Sequence, residues 1–193
     1  MGGSAASLAL AYAAQGGRTS LLTQLGEDAF GHRITDALST AGVDISRVCF
    51  TSRAPTPLLF DGGGEQLGCR TRSSELLYAP EQLGAGWAAD AEMLAFSSAC
   101  LVDSPCRYTH LAALDTREYQ VGLFALLRGH TQLVVLETEE GVHAFTRAVH
   151  AFLPELSAPP EELAARLLYQ ISQQELTLKK LMKCSAPALQ TLL

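Results

Sequence analysis

The chain has 193 residues, of which 48% are hydrophobic and 18% are charged, and its formal net charge is −6. This composition is typical of a globular protein, and no apolar run reaches the roughly 18 residues that suggest a membrane span. The negative charge disfavours nucleic acid as a partner, because phosphate binding needs clustered Lys and Arg. The cysteines contain no C-x-x-C pair, so neither a zinc site nor a disulfide framework is indicated. We therefore expect a reduced, cytoplasmic protein.

Two adjacent glycines precede the first predicted helix. Gly2 and Gly3 let the backbone approach a ligand closely, and Ser4 is placed to cap the helix predicted over residues 4–15. A buried strand is predicted over residues 19–25. Because the first amide groups of a helix have no partners within it, this helix start suits hydroxyl or anionic oxygens.

The turn GEDAFG leads into a second helix, for which Asp28 is the predicted cap. The segments GGSAASLALAYAAQGG and LLTQLGEDAFGHRITDALSTAGVDISRV together resemble the N-terminal signature region of the ribokinase-like (PfkB) carbohydrate kinases. The resemblance rests on the paired glycines, the spaced Gly16 and Gly26, the GEDAFG turn and the AGVD exit. These features stand in register, which a chance match rarely achieves.

The resemblance implies an α/β protein with a Rossmann-like (ribokinase-like) three-layer sandwich, incomplete here, and a small β-rich lid. We assign residues 1–46 and 75–193 to the core and residues 47–74 to the lid, where short β-type runs alternate with Pro and Gly turns. In this family the lid closes over the sugar and often contributes to dimer contacts, so a homodimer through the lid is implied. The alternative is an ordinary meander at a sheet edge.

The sugar-binding residues are implied by the same resemblance. Gly2, Gly3 and Ser7 would line the sugar, and Ser7 stands where the family usually has Asn. Ser97 ends a strand predicted over residues 92–97, at the place where ligands collect in open α/β sheets. The alternative for Ser97 is a small residue in a tight loop. The segments SSELLYAPEQL and SSACLVDSPCR resemble fructokinase-type members and favour a hexose.

The cofactors implied are ATP and Mg²⁺. The run Asp115-Thr116-Arg117-Glu118 resembles the family's Asn-x-x-Glu, whose Glu orders Mg²⁺ at the nucleotide phosphates, although Glu118 also suits the first turn of a helix. TQLVVLETEEGVHAFT resembles a strand, a T-x-G-x-x-G turn and a strand. Thr138 and Gly141 fall on the two glycines of that turn and would lie near the phosphates. Glu137 and its acidic neighbours add negative charge there, which is unfavourable without a cation.

The family's Gly-x-Gly-Asp motif, whose Asp deprotonates the sugar hydroxyl, does not occur in the chain, and we assign no catalytic residue. A helix is predicted from near Ser157 and Pro159. Two interpretations follow. The chain is an incomplete or truncated fructokinase-like kinase that transfers phosphoryl from ATP to a sugar hydroxyl, or it is a non-catalytic remnant that binds a sugar or a protein. A nucleotide-independent interaction protein is a third class.

Overall fold

The computed structural model describes residues 3–61, 66–69, 72–79, 82, 90–97, 132–138, 141–146, 150–154, 158–174 and 176–181. Its helices in these ranges are α1 (Ser4–Ala14), α2 (Ala29–Thr40), α3 (Pro160–Ser172) and the short α4 (Leu178–Leu181), with a 3₁₀ turn at Ser74–Leu77. Its strands there are β1 (Thr23–Gly26), β2 (Val48–Thr51), β3 (Leu58–Asp61), β4 (Gln66–Cys69), β5 (Met93–Ser97), β6 (Leu133–Thr138), β7 (Gly141–Phe145) and β8 (His150–Pro154). Within the described ranges, no helix has the length and apolar character to cross a membrane.

The strands form one four-stranded sheet and two strand pairs. The sheet has the order β5-β6-β7-β8, in which β5 and β6 are parallel and the other neighbours are antiparallel. β1 and β2 pair in parallel, and β3 and β4 form an antiparallel hairpin. Parallel strands combined with packed helices give the α/β class that the sequence predicts.

Helix α1 is packed on two sides. Leu8 and Tyr12 join the main core, formed with β5, β6, β7, β8 and α3. Ala9 joins a second cluster with Leu21 and Leu38, next to α2. The side chains of α1 are small or apolar on both faces. One face packs against the four-stranded sheet and α3, and the other face packs against α2.

The GEDAFG turn is held by the side chain of Asp28. Its Oδ1 accepts hydrogen bonds from the backbone N–H groups of Phe30 (3.0 Å) and Gly31 (2.8 Å), so the predicted cap of α2 is confirmed. A side chain at Gly31 would collide with the carbonyl oxygen of Gly26. A side chain at Gly26 would meet the backbone at Pro55 and Thr56. Close approach of backbone therefore explains both glycines of the motif.

The structure differs from the sequence prediction at several places. Ser4 does not cap α1: it is the first residue of the helix, and Gly3 occupies the cap position with φ of 103°. The first strand begins at Thr23, and upstream of it only a single bridge joins Ser20 to Asp44. Strand β8 was not predicted, because its five residues lack a clear alternation of polar and apolar side chains. The helix predicted near Ser157 is α3, which begins at Pro160.

The predicted lid segment contains two kinds of strand. β2 pairs with β1, whereas β3 and β4 pair only with each other among the described strands. On β3, Leu59 and Phe60 are each 56% exposed. The division of the chain at residues 47 and 74 stays a prediction.

Candidate functional site

One edge of the four-stranded sheet brings together residues that the sequence assigns to different ligands. Ser97, at the end of β5, lies in parallel register with Glu137 of β6. Thr138, at the end of β6, pairs with Gly141 at the start of β7, and Gly141 also pairs with Pro154 at the end of β8. The carboxyl ends of β5, β6 and β8 thus meet at this edge, which is the usual position of ligands in open α/β sheets.

Helix α3 begins at the same edge, since only a short connection separates Pro154 from Pro160. Helix α1 packs against α3, and near their carboxyl ends the ring of Tyr12 meets that of Tyr169 edge-on, with centroids 6.2 Å apart. Leu8, one turn earlier in α1, belongs to the same core cluster as Leu163 in the first half of α3. The contact between the two rings places the carboxyl ends of α1 and α3 beside each other.

Both helices present amide groups that no described side chain caps. In α1 the cap residue is Gly3, and in α3 it is Pro159, and neither position shows a side-chain cap hydrogen bond within the described residues. The positive φ of 103° at Gly3 is a conformation that favours glycine. The first N–H groups of α1, together with its helix dipole, favour hydroxyl and anionic oxygens, whereas the first turn of α3 already carries Glu161 and Glu162.

The sequence-assigned sugar residues are only partly described. Gly3 is exposed at the start of α1, and Ser7 lies one turn into this helix, where it is half-buried. The backbone N–H of Ser7 donates to the carbonyl oxygen of Gly3 at 3.0 Å, so the two positions are directly linked. Gly2 and the metal residue Glu118 lie outside the described residues.

The acidic side chain at this edge belongs to Glu137. Burial and the nearby carboxylate of Glu161, in the first turn of α3, raise the pKa of Glu137 to about 7. Within the described part of the chain, its Oε2 atom is buried and has no hydrogen-bond partner. A buried, ionised carboxylate oxygen normally has a donor, so this arrangement favours the protonated acid near neutral pH.

The sequence interpretation treated Glu137 only as added negative charge. The signal in the sequence is a carboxylate that directly follows the apolar run LVVL. That signal does not reveal the raised pKa, because burial and the approach of Glu161 both arise only when the distant segments pack together.

The donor set at this edge fits a nucleotide that carries its own divalent ion. Backbone amides at helix starts suit phosphate oxygens, and carboxylates are hard oxygen ligands of the kind that Mg²⁺ accepts. In the ranges that the structure describes, no cluster of three His, Cys, Asp or Glu side chains could hold a metal by itself.

Residues 1–126 match the family described as pfkB family carbohydrate kinase. This chain belongs to that family. A probable fructokinase-5 of Arabidopsis thaliana is 32% identical over 120 residues, which cover 60% of this chain and 37% of the relative. A fructokinase of Solanum tuberosum is 33% identical over 119 residues, which cover 59% of this chain and 37% of the relative. The match thus spans little more than a third of the length of these curated relatives.

Solved structures give the same fold. The fructokinase from Xylella fastidiosa with bound ATP superposes with a TM-score of 0.66 at 20% identity, covering 99% of this chain and 80% of that chain. The fructokinase from Vibrio cholerae O395, in a form with fructose, ADP and calcium ion bound, gives a TM-score of 0.63 at 16% identity, covering 99% and 82%. These likenesses confirm the ribokinase-like α/β fold predicted from the sequence.

Proposed function

We propose that this PfkB-family chain serves a fructokinase-like phosphoryl transfer from ATP to a hydroxyl of a sugar. The observation that supports the proposal is the strand register that brings Ser97, Thr138 and Gly141 to one edge of the four-stranded sheet, with α3 beginning a short connection after β8. The similarity to plant fructokinases supports a hexose as the acceptor.

On the sugar side, Gly2, Gly3, Ser7 and Ser97 bind the acceptor. Glycine at the cap of α1 leaves room for a sugar hydroxyl close to the first helical amides. Ser7 adds a short hydroxyl one turn into the helix, and Ser97 adds a second at the end of β5. Small polar groups of this kind suit a ligand that is rich in hydroxyls.

On the nucleotide side, Thr138 and Gly141 lie by the phosphates, and Glu118 helps to hold Mg²⁺. Mg²⁺, when bound, neutralises the charge that develops on the transferred phosphoryl group. The chain's own contribution is to orient the phosphates through backbone amides and to keep the sugar hydroxyl in line with them. A fructokinase of the same fold that was solved with bound ATP supports ATP as the nucleotide.

A non-catalytic sugar-binding or protein-interaction module is the second candidate. The observation that favours it is the absence of a Gly-x-Gly-Asp segment from the sequence, which leaves the transfer without the family's usual base. In this case the sheet edge would bind a sugar without phosphorylating it.

ADP release distinguishes the two functions. The full chain is incubated with Mg-ATP, with and without fructose, and its thermal unfolding is followed in parallel with fructose alone. Fructose-dependent ADP release supports the kinase. Stabilisation by fructose with no ADP release supports the binding module, because a ligand that binds the folded state raises its stability. If neither effect occurs with a folded chain, the kinase and the sugar-binding module are both wrong, and the protein-interaction module is the interpretation that is left.

We also propose that two chains associate through the hairpin of β3 and β4. Leu59 and Phe60 are consecutive in β3, so their side chains lie on opposite faces of the hairpin, and each is more than half exposed. Two-stranded hairpins are marginal in water, so a second hairpin packed on this one would stabilise both.

A further inference from the structure

Glu137 is the residue before Thr138, which the proposed function places beside the nucleotide phosphates. Its strand ends one residue later at Thr138, and Thr138 and its paired residue Gly141 form the proposed nucleotide position. An ionised carboxylate at this point would repel a nucleotide phosphate. The protonation state of Glu137 therefore matters for any nucleotide that binds here.

The surroundings of Glu137 favour the neutral acid. Within the described part of the chain its Oε2 atom is buried and has no donor. The charged group that faces it from α3 is another carboxylate, Glu161. The only cation described on α3 is that of Arg166, which lies 3.6 Å from Glu162.

The other elements around this face add no described charge. In the core cluster that α1 and α3 form with the sheet, the described side chains from β6 and β7 are apolar, namely Leu133, Val135, Val142 and Ala144. Helix α1 contributes Leu8, Ala11 and Tyr12 to the same cluster. Glu161 is consequently the described titratable group that acts on Glu137, and it acts to keep the proton in place.

We propose that Glu137 is a proton-linked specificity residue of the nucleotide site, whose neutral carboxyl group donates a hydrogen bond to a phosphate oxygen and whose ionised form repels it. The proposal rests on the proposed function, because it requires the nucleotide at this edge. It assigns to Glu137 a role in binding and no part in the chemical step. The affinity for a nucleotide then falls as pH rises, because ionisation of Glu137 removes the hydrogen-bond donor and at the same time adds a negative charge next to the phosphate.

The test is ADP binding by titration calorimetry, with the full chain and no divalent cation, at about pH 6 and about pH 8.5. For each protein, the dissociation constant at the higher pH is divided by the one at the lower pH. ADP itself titrates in this range, so the wild-type ratio is divided by the ratio for Glu137→Gln, which removes the contribution of ADP. The Gln amide cannot ionise and still offers an N–H donor. We expect the wild-type chain to lose about tenfold more affinity between the two pH values than Glu137→Gln loses.

A second variant tests the part played by Glu161. In Glu161→Gln the like charge is gone, so Glu137 ionises at lower pH and ADP binding weakens at lower pH than in the wild type. Thermal unfolding shows that each variant is folded. An equal loss of affinity in the wild type and Glu137→Gln would overturn the inference and leave the nucleotide site standing. No ADP binding by any folded variant would overturn the nucleotide site itself, and the inference with it.

Discussion

Asp28 and Thr56 are joined by two hydrogen bonds. The backbone N–H of Thr56 donates to Oδ2 of Asp28 at 2.8 Å, and the hydroxyl group of Thr56 donates to Oδ1 at 2.9 Å. The same carboxylate caps α2, so one side chain ties the start of this helix to the loop before β3. Burial alone would raise the pKa of Asp28, but the hydrogen bonds from Thr56, Gly31 and Phe30 together lower it below its ordinary value.

Replacing Asp28 by Ala removes both the cap of α2 and the hydrogen bonds with Thr56. We expect Asp28→Ala to lower the free energy of unfolding by about 2–3 kcal/mol, because it removes a helix cap and charge-assisted hydrogen bonds to Thr56. Urea unfolding measures the change. Asp36→Ala, at an exposed position of the same helix, is the control and should change stability by less than about 0.5 kcal/mol. Equal losses in the two variants would show that Asp28 has no special role.

Gly31 has no room for a side chain. We expect Gly31→Ala to destabilise the chain by about 2 kcal/mol or more, because its Cβ would press against the backbone at Gly26, which cannot move away as a flexible side chain could. Gly68→Ala is the matched control, since its Cβ would meet only Leu59 Cδ1 at 3.4 Å, an ordinary contact. Thermal unfolding of both variants checks the prediction, which fails if Gly31→Ala melts at or above the temperature of Gly68→Ala.

Glu137 makes stability depend on pH. The pKa of this carboxyl is about 7 in the folded chain and near 4.5 in the unfolded chain, so the folded state holds the proton more tightly between these values. Stability therefore falls as pH rises from about 4.5 to about 7, and then levels off. The side chain is only half-buried, so solvent screens part of the effect. We expect the decline in the free energy of unfolding to be smaller by about 1–2 kcal/mol in Glu137→Gln than in the wild type.

Urea unfolding at about pH 5 and about pH 8 measures the difference between wild type and Glu137→Gln. Glu162→Gln is the control, because Glu162 lies in the same first turn of α3 as Glu161 with half its side chain exposed. This control should keep the pH dependence of the wild type. The prediction is wrong if Glu137→Gln shows the same decline between the two pH values as the wild type.

Ser7 can be tested by restoring the residue that the family usually has. If α1 begins at the sugar site, Ser7→Asn adds an amide with donors and an acceptor for sugar hydroxyls, and the dissociation constant for fructose should fall about fivefold. Ser39→Asn, at an exposed position of α2, should leave it unchanged. Fructose titration with calorimetric detection separates the two. An unchanged constant in Ser7→Asn would place the sugar elsewhere.

If two chains associate through the hairpin of β3 and β4, charged residues in place of its exposed apolar side chains should give a monomer. We expect sedimentation equilibrium to give a dimer for the wild type and a monomer for the double variant Leu59→Glu, Phe60→Glu, because charges in an apolar contact are costly to bury. Phe152→Glu is the control, since Phe152 is another exposed aromatic residue, on β8, at 44% exposure. A wild-type monomer, or dissociation by Phe152→Glu alone, would contradict the hairpin interface.

Local signals in the sequence were sufficient for several elements. The Asp28 cap and the proline at the start of α3 act within one or two turns, so the starts of α2 and α3 were predicted nearly correctly, as was the span of α1. Ser4 misled the prediction because a serine beside a glycine can stand on either side of a helix boundary. In the structure the glycine takes the cap position, where its positive φ is acceptable.

The candidate site depended on distant contacts. Strand register places Ser97 beside Glu137 and Thr138 opposite Gly141, and no single segment encodes this register. Strand β8 was missed because its place in the sheet is set by β7 and not by its own pattern. The raised pKa of Glu137 comes first from burial and then from the nearby Glu161, and both arise from tertiary packing that no single segment encodes.

The double-sided packing of α1 has a consequence for cooperativity. A helix that buries Leu8 against α3 and Ala9 against α2 cannot open without loosening both neighbours. Its amide protons should therefore exchange with solvent only when the described core unfolds as a whole, and should be among the slowest in the chain. A ligand that closes on the exposed Gly3 end would then slow proton exchange in α2 and α3 at the same time, although it touches neither core cluster.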